Sequence, residues 1–104
     1  MERIREAPSG EAVFRIEGRL DQPAAIRLRQ RVMAEEATRA IFDFSHVENL
    51  DDAALPLLTV ILILLRRKGG DAALLGLRGH QLRVLHYLGI EVSGGGSVRV
   101  LGDP

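Results

Sequence analysis

The sequence predicts an α/β domain: a small mixed, mainly parallel sheet of four or five strands flanked by three or four helices. Three observations carry that expectation. Short apolar runs alternate with longer segments that have helix signals at both ends. One run, Ala53 to Leu65, holds no charge and is closed by Arg66-Arg67-Lys68-Gly69-Gly70. Glycines and prolines fall at the joints between runs. Crossovers of this length imply right-handed connections between parallel strands.

At 104 residues the chain is expected to form one domain, 1–104, with a core large enough to stand without staples. Cysteine is absent, which excludes a disulfide framework and a thiolate metal site. Lys plus Arg and Asp plus Glu both total 14, which argues against a general nucleic-acid or anionic-membrane binder. The opening MERIREAPSG lacks the apolar stretch of a signal peptide, so a cytoplasmic protein is expected.

In chain order, Glu2 to Glu6 alternates around Ile4 and reads as an edge strand, with a Pro8-Ser9-Gly10 turn completing the segment 1–9. Ala12 to Gly18 reads as its hairpin partner. Asp21 is a natural helix cap and Pro23 fits a first turn. Ala25, Leu28, Val32 and Met33 then share one helical face, and the helix ends near Glu36. Ala40 to Phe44 reads as a strand buried on both faces, interrupted by Asp43.

A polar connection from Ser45 to Asp51 follows, then the uncharged run. Asp51 or Asp52 suits the positive end of a helix dipole, and the cations at 66–68 suit the negative end. Pro56 places the regular helix start near Ala54 or Leu55. The run spans roughly 20 Å, short of a bilayer core of about 30 Å. It is apolar all round, so other elements wrap it or part of it is open to a partner, including a second copy of the chain.

Ala72 to Leu77 reads as a strand, and His80 to Leu88 as a short helix with Leu82, Leu85 and Leu88 inward and Gly89 as its stop. In the segment 93–104, a flexible Ser-Gly-Gly-Gly-Ser turn precedes a last strand, Val98 to Leu101, and a frayed tail.

No catalytic constellation is legible, and the pattern calls for no cofactor. His46, His80 and His86 lack metal-ligand spacing. The triplet Gly94-Gly95-Gly96 fits neither a P-loop nor a dinucleotide pattern. Asp43, Ser45 and His46 can be drawn as a hydrolase-like triad, but neighbours in sequence rarely converge in that geometry. What remains is an acidic corner of Asp21, Asp43, Asp51 and Asp52, each near a strand-to-helix transition at a sheet edge.

Taken together, Gly18-Arg19-Leu20-Asp21, Ile41-Phe42-Asp43-Phe44-Ser45, Val47, Leu50-Asp51-Asp52-Ala53-Ala54-Leu55 and the helix to Gly69 resemble the STAS domain. That family includes anti-sigma factor antagonists of bacteria and cytosolic domains of sulfate transporters. The resemblance implies a small sheet flanked by helices and an activity of binding rather than catalysis.

In the antagonists, a partner kinase that also sequesters a sigma factor phosphorylates a Ser or Thr in an Asp-Ser-Ser-Gly-Leu type motif. The added charge breaks the complex. Here Asp51 keeps the leading acid, Asp52 replaces the first Ser, the acceptor position falls on Ala53, and Ala54 replaces the Gly. A phospho-switch at Ala53 therefore cannot operate. By the same resemblance, Asp21, Asn49, Asp51, Asp52, Ala54, Leu55 and Leu58 are expected to contact a protein partner.

Three functions follow, in descending order. The first is a non-catalytic regulatory module that binds a protein such as an anti-sigma factor kinase. The second is a small cytosolic subunit of a membrane transport assembly, of the ABC type for lipids or anions. The third is a nucleotide or small-ligand sensor built on the acidic corner.

Overall fold

The computed structural model describes residues 10–35 and 38–101, and the backbone of Glu2–Glu6. The elements run β1 (Glu2–Glu6), β2 (Glu11–Leu20), α1 (Gln22–Ala34), β3 (Arg39–Leu50), a 3₁₀ turn at Asp52–Ala54, α2 (Leu55–Arg67), β4 (Asp71–Leu75), α3 (Gly79–Tyr87), β5 (Ile90–Val92) and β6 (Val98–Val100). The Pro8-Ser9 half of the first turn and the terminal Gly-Asp-Pro lie outside the described residues.

β1 and β2 pair antiparallel, as the hairpin pattern predicts. β2 with β3 and β3 with β4 pair parallel, giving the order β1-β2-β3-β4. β5 and β6 form a separate antiparallel ribbon. It is tied to the sheet by an Ala73–Ser97 bridge and by the Leu74 N–H donated to the Gly96 carbonyl at 2.7 Å. β5 is not legible in the sequence, because Ile-Glu-Val is too short to show a period of two.

The core lies on the sheet face that carries Ala12, Phe14, Ile16, Ala40, Phe42, Phe44, Ala72 and Leu74. Phe14 and Phe42 stack across neighbouring strands with ring centroids 5.3 Å apart. Burial alternates along both β2 and β3, with Val13, Ile41 and Asp43 only half-buried on the opposite face. β3 is therefore buried on one side, not two. The apolar residue that suggested otherwise, Ile41, sits on the half-open face.

β3 also runs farther than the sequence suggests, to Leu50. The polar connection expected from Ser45 is strand, held to β2 through Glu17↔His46, Gly18↔Val47, Arg19↔Asn49 and Leu20↔Leu50. The register shifts at Arg15/Glu17, where Ile16 faces both Phe44 and Ser45. Such a bulge lets a strand continue through a polar stretch by re-aiming its side chains.

α1 starts where predicted. Asp21 Oδ1 accepts the Ala24 N–H at 3.0 Å, and Ala25, Leu28 and Val32 are buried with Met33 packed beside them. In α2, Leu55, Leu58, Thr59, Ile61, Leu62 and Leu65 are buried, while Leu57, Ile63 and Leu64 are half-covered. Within α2, Pro56, Val60 and Arg67 are the exposed positions. The all-round apolar pattern is thus mostly core. α3 buries Leu85 and half-buries Leu82, but Leu88 points outward, because the helix has ended at Tyr87 and Gly89 turns the chain with φ +90°.

The two kinds of position on α2 predict different mutational costs. Leu62→Ala should cost about 2–5 kcal/mol by leaving a cavity. Val60→Ala should cost under about 1 kcal/mol, because its side chain is 41 % exposed. Chemical denaturation of both variants measures the difference.

Candidate functional site

The parallel pairing of β2 with β3 brings two strand ends together. Leu20 faces Leu50, so Asp21 and Asp51 follow side by side, and the Asp51 N–H is donated to the Leu20 carbonyl at 3.0 Å. Arg19 closes over this corner and donates to Asp51 Oδ2 at 2.8 Å. That hydrogen bond and the charge of Asp51 raise the Arg19 pKa, with a further contribution from Asp21. Arg19 is largely exposed, so the pair orients Asp51 more than it stabilises the fold.

Neither acid caps α2 with its side chain. The cap position of the helix is Ala54, whose side chain cannot cap, and the 3₁₀ turn supplies the lead-in through the Ala54 N–H donated to the Asp51 carbonyl at 2.9 Å. Asp51 is spent on Arg19, and Asp52 faces His80 of α3 at 3.4 Å. Capping was legible as a possibility, but cross-element partners compete for both carboxylates.

Of the four predicted acids, Asp21, Asp51 and Asp52 meet at the carboxyl ends of the strands. Asp43 does not. It lies opposite Arg15 inside the sheet, seven positions before Leu50. Its Oδ1 accepts the Ser45 backbone N–H at 3.0 Å and the Ser45 hydroxyl at 2.6 Å. The hydroxyl bond, then the backbone bond, hold its carboxyl below the usual range.

Ser45 Oγ also lies 3.0 Å from His46 Nδ1, and the Arg15 guanidinium is bonded to the His46 ring. The three sequence neighbours do converge, because the bulge turns Ser45 and His46 outward beside Asp43. They do so in the wrong order for a hydrolytic triad. The carboxylate takes the serine proton, and a cation faces the imidazole that should accept it.

The residues expected to touch a partner separate by exposure. Asp52, Ala53 and Asn49 are exposed, and Asp51 and Asp21 are half-buried. Ala54 and Leu55 are 0 % exposed and Leu58 is 1 % exposed, so these three hold the turn from beneath and offer no contact surface. Their apolar character is a core signal that the motif position alone does not reveal. Pro56 and Val60, absent from the expected set, are open beside the turn. Arg19 and His80, also absent from it, position the acids. Arg19 lies within the Gly-Arg-Leu-Asp stretch, whereas no local signal marks His80.

Beside the turn lies a pocket of about 240 Å³. β3 supplies Phe44, Ser45, Val47, Glu48 and Leu50 to one wall, and Gly76, Arg78 and Gln81 form the other. Gly76 has φ +83°, and a Cβ there would lie 2.6 Å from the Ser45 nitrogen.

The STAS domain family model matches residues 3–93. The chain belongs to the STAS domain family. Solved structures with the same fold include the anti-sigma factor antagonist SpoIIAA in its unphosphorylated form, at 19% identity, with 84% of this chain and 83% of that chain covered and a TM-score of 0.69. The Bacillus cell fate determinant SpoIIAA in the phosphorylated form gives 19% identity, 86% and 84% coverage and 0.70. An antisigma-factor antagonist STAS domain from Rhodobacter sphaeroides gives 20%, 73% and 85%, and 0.63. At these identities the likeness is one of fold. No curated protein sequence matches the chain.

Among the described residues, no helix is long and apolar enough to cross a membrane.

Two predictions test the site. Ser45→Ala should raise the Asp43 pKa back toward the ordinary carboxylate value, as read by a carboxyl NMR titration. In the native protein, the depressed Asp43 pKa contributes stability that is present above the unfolded value of about 3.9 and is lost as pH falls through the folded one. Gly76→Ala should destabilise the domain by more than about 1 kcal/mol, through both the clash and the positive φ. Its melting temperature measures the loss.

Proposed function

We propose that this STAS domain is a regulatory protein-binding module, with its docking surface at Asn49, Asp51, Asp52 and Ala53 and along the Pro56–Val60 edge of α2. One observation carries the reading: Asp52 and Ala53 are exposed at the head of a helix whose next residues are locked in the core. A surface held that way presents a fixed shape and charge to a partner, at little ordering cost on binding.

The partner expected is a protein of the kinase-like anti-sigma factor kind, because the solved relatives include anti-sigma factor antagonists. SpoIIAA has been solved in phosphorylated and unphosphorylated forms. In this chain Ala53 offers no hydroxyl, so binding is not switched at that position. Asp52 supplies a fixed negative charge beside it. A single carboxylate carries less charge and fewer acceptor oxygens than a phosphate, which is compatible with standing association.

The transport-assembly reading drew on a helix apolar on every side, and the burial of most of that helix removes the feature that favoured it. A sensor built on the acidic corner is disfavoured for a related reason. Two of the corner acids already face Arg19 and His80.

Binding to an anti-sigma factor kinase tests the proposal. Asp52→Arg and Ala53→Arg should each weaken the complex about tenfold or more, or roughly 1.4 kcal/mol. ATP should leave the wild-type complex intact, whereas Ala53→Ser should take up phosphate and dissociate. A complex indifferent to Asp52→Arg and Ala53→Arg would contradict the reading.

A further inference from the structure

The pocket between β3 and α3 adjoins the docking surface at Leu50 and carries its own chemistry. β4 pairs with β3 only as far as Asp43↔Leu75, whereas β2 stays paired to Leu50. From Phe44 onward, the edge of β3 that faced β4 has no strand beside it among the described residues. Alternate N–H and C=O groups of a strand point to each edge, so this stretch offers main-chain donors and acceptors sideways.

At one end of this stretch Gly76 lies against the Ser45 backbone. The lining is mostly polar: Val47 and Leu50 are half-buried, Phe44 belongs to the core beneath, and Glu48 and Arg78, both exposed, contribute one charge of each sign. Among the described residues, no cation pairs with Glu48 and no carboxylate pairs with Arg78. Gln81 Oε1 is used in accepting the Arg78 backbone N–H at 2.8 Å, which leaves its amide nitrogen as a donor.

We propose that this pocket binds a free amino acid. Its carboxylate is held by Arg78 and its ammonium by Glu48 and the open carbonyls of β3, with Val47 and Leu50 beside its side chain. Opposite charges on neighbouring atoms of one small ligand match a pocket that carries both signs. A phosphate or other bare anion meets repulsion from Glu48, and a simple cation meets repulsion from Arg78. The volume of about 240 Å³ lies below the range of drug-sized sites and suits a ligand of this size rather than a nucleotide.

The test is a titration of the isotope-labelled full chain, followed by amide NMR, with each common L-amino acid, inorganic phosphate and AMP as separate probes. At least one amino acid should give saturable shifts confined to residues 44–50 and 76–81. Arg78→Gln and Glu48→Gln should each weaken that binding about tenfold or more, as expected for losing a charge-assisted bond, with unchanged melting temperatures. The N-acetylated and C-amidated forms of the same amino acid should each bind more weakly. The proposal is overturned if no amino acid saturates, if the shifts fall elsewhere, if phosphate or AMP binds as well, or if the two variants bind like wild type. Because the readout needs no partner, it fails or succeeds independently of the docking surface.

Discussion

When α2 settles on the sheet, Leu55, Leu58, Ile61, Leu62 and Leu65 leave water together and join Phe14, Phe42 and Phe44 in one core. Each such leucine or isoleucine contributes about 1.5–3 kcal/mol when fully buried. The seating is directional, because the two buried leucines nearest the amino end fix where the helix begins. The turn that precedes them has little freedom. It must leave β3 at Leu50, pass Asp51 beside Asp21, and enter the helix at Ala54. Asp52 and Ala53 are therefore displayed by packing beneath them, and not by bonds of their own.

The same constraint accounts for the acids. α2 begins with an alanine at its cap position, so no side chain satisfies its first N–H groups there. Asp51 and Asp52 are free to look outward, one to Arg19 and one to His80. These bonds tie the turn to β2 on one side and to α3 on the other. β3 makes the arrangement possible by continuing past β4 along β2. That overhang carries the turn clear of the sheet, and it also leaves the lateral edge that forms one wall of the pocket.

Much of this was legible in the chain. Both long helices, their prolines, the hairpin and the parallel order follow from periodicity and punctuation, and the motif order pointed to the family. Less legible were features set by contacts between distant residues. The sequence of Ser45–Leu50 looks like a loop because its polar residues face outward on a bulged strand, where β2 supplies the pairing. Ala54, Leu55 and Leu58 looked like contact residues because they lie in the motif, yet the sheet lies beneath them. Asp43 seemed part of the acidic corner, but strand length places it elsewhere. His80 had no local sign of its role, since Asp52 is far from it in sequence.

The proposed docking face is the turn heading α2. Hydrogen–deuterium exchange of the domain alone and with the proposed partner, an anti-sigma factor kinase, is the decisive measurement. New protection should concentrate at residues 49–53 and along the open edge of α2, with the amides of β5 and β6 unchanged. Protection centred on α3, β5 and β6, with the turn exchanging as in the free domain, would contradict it.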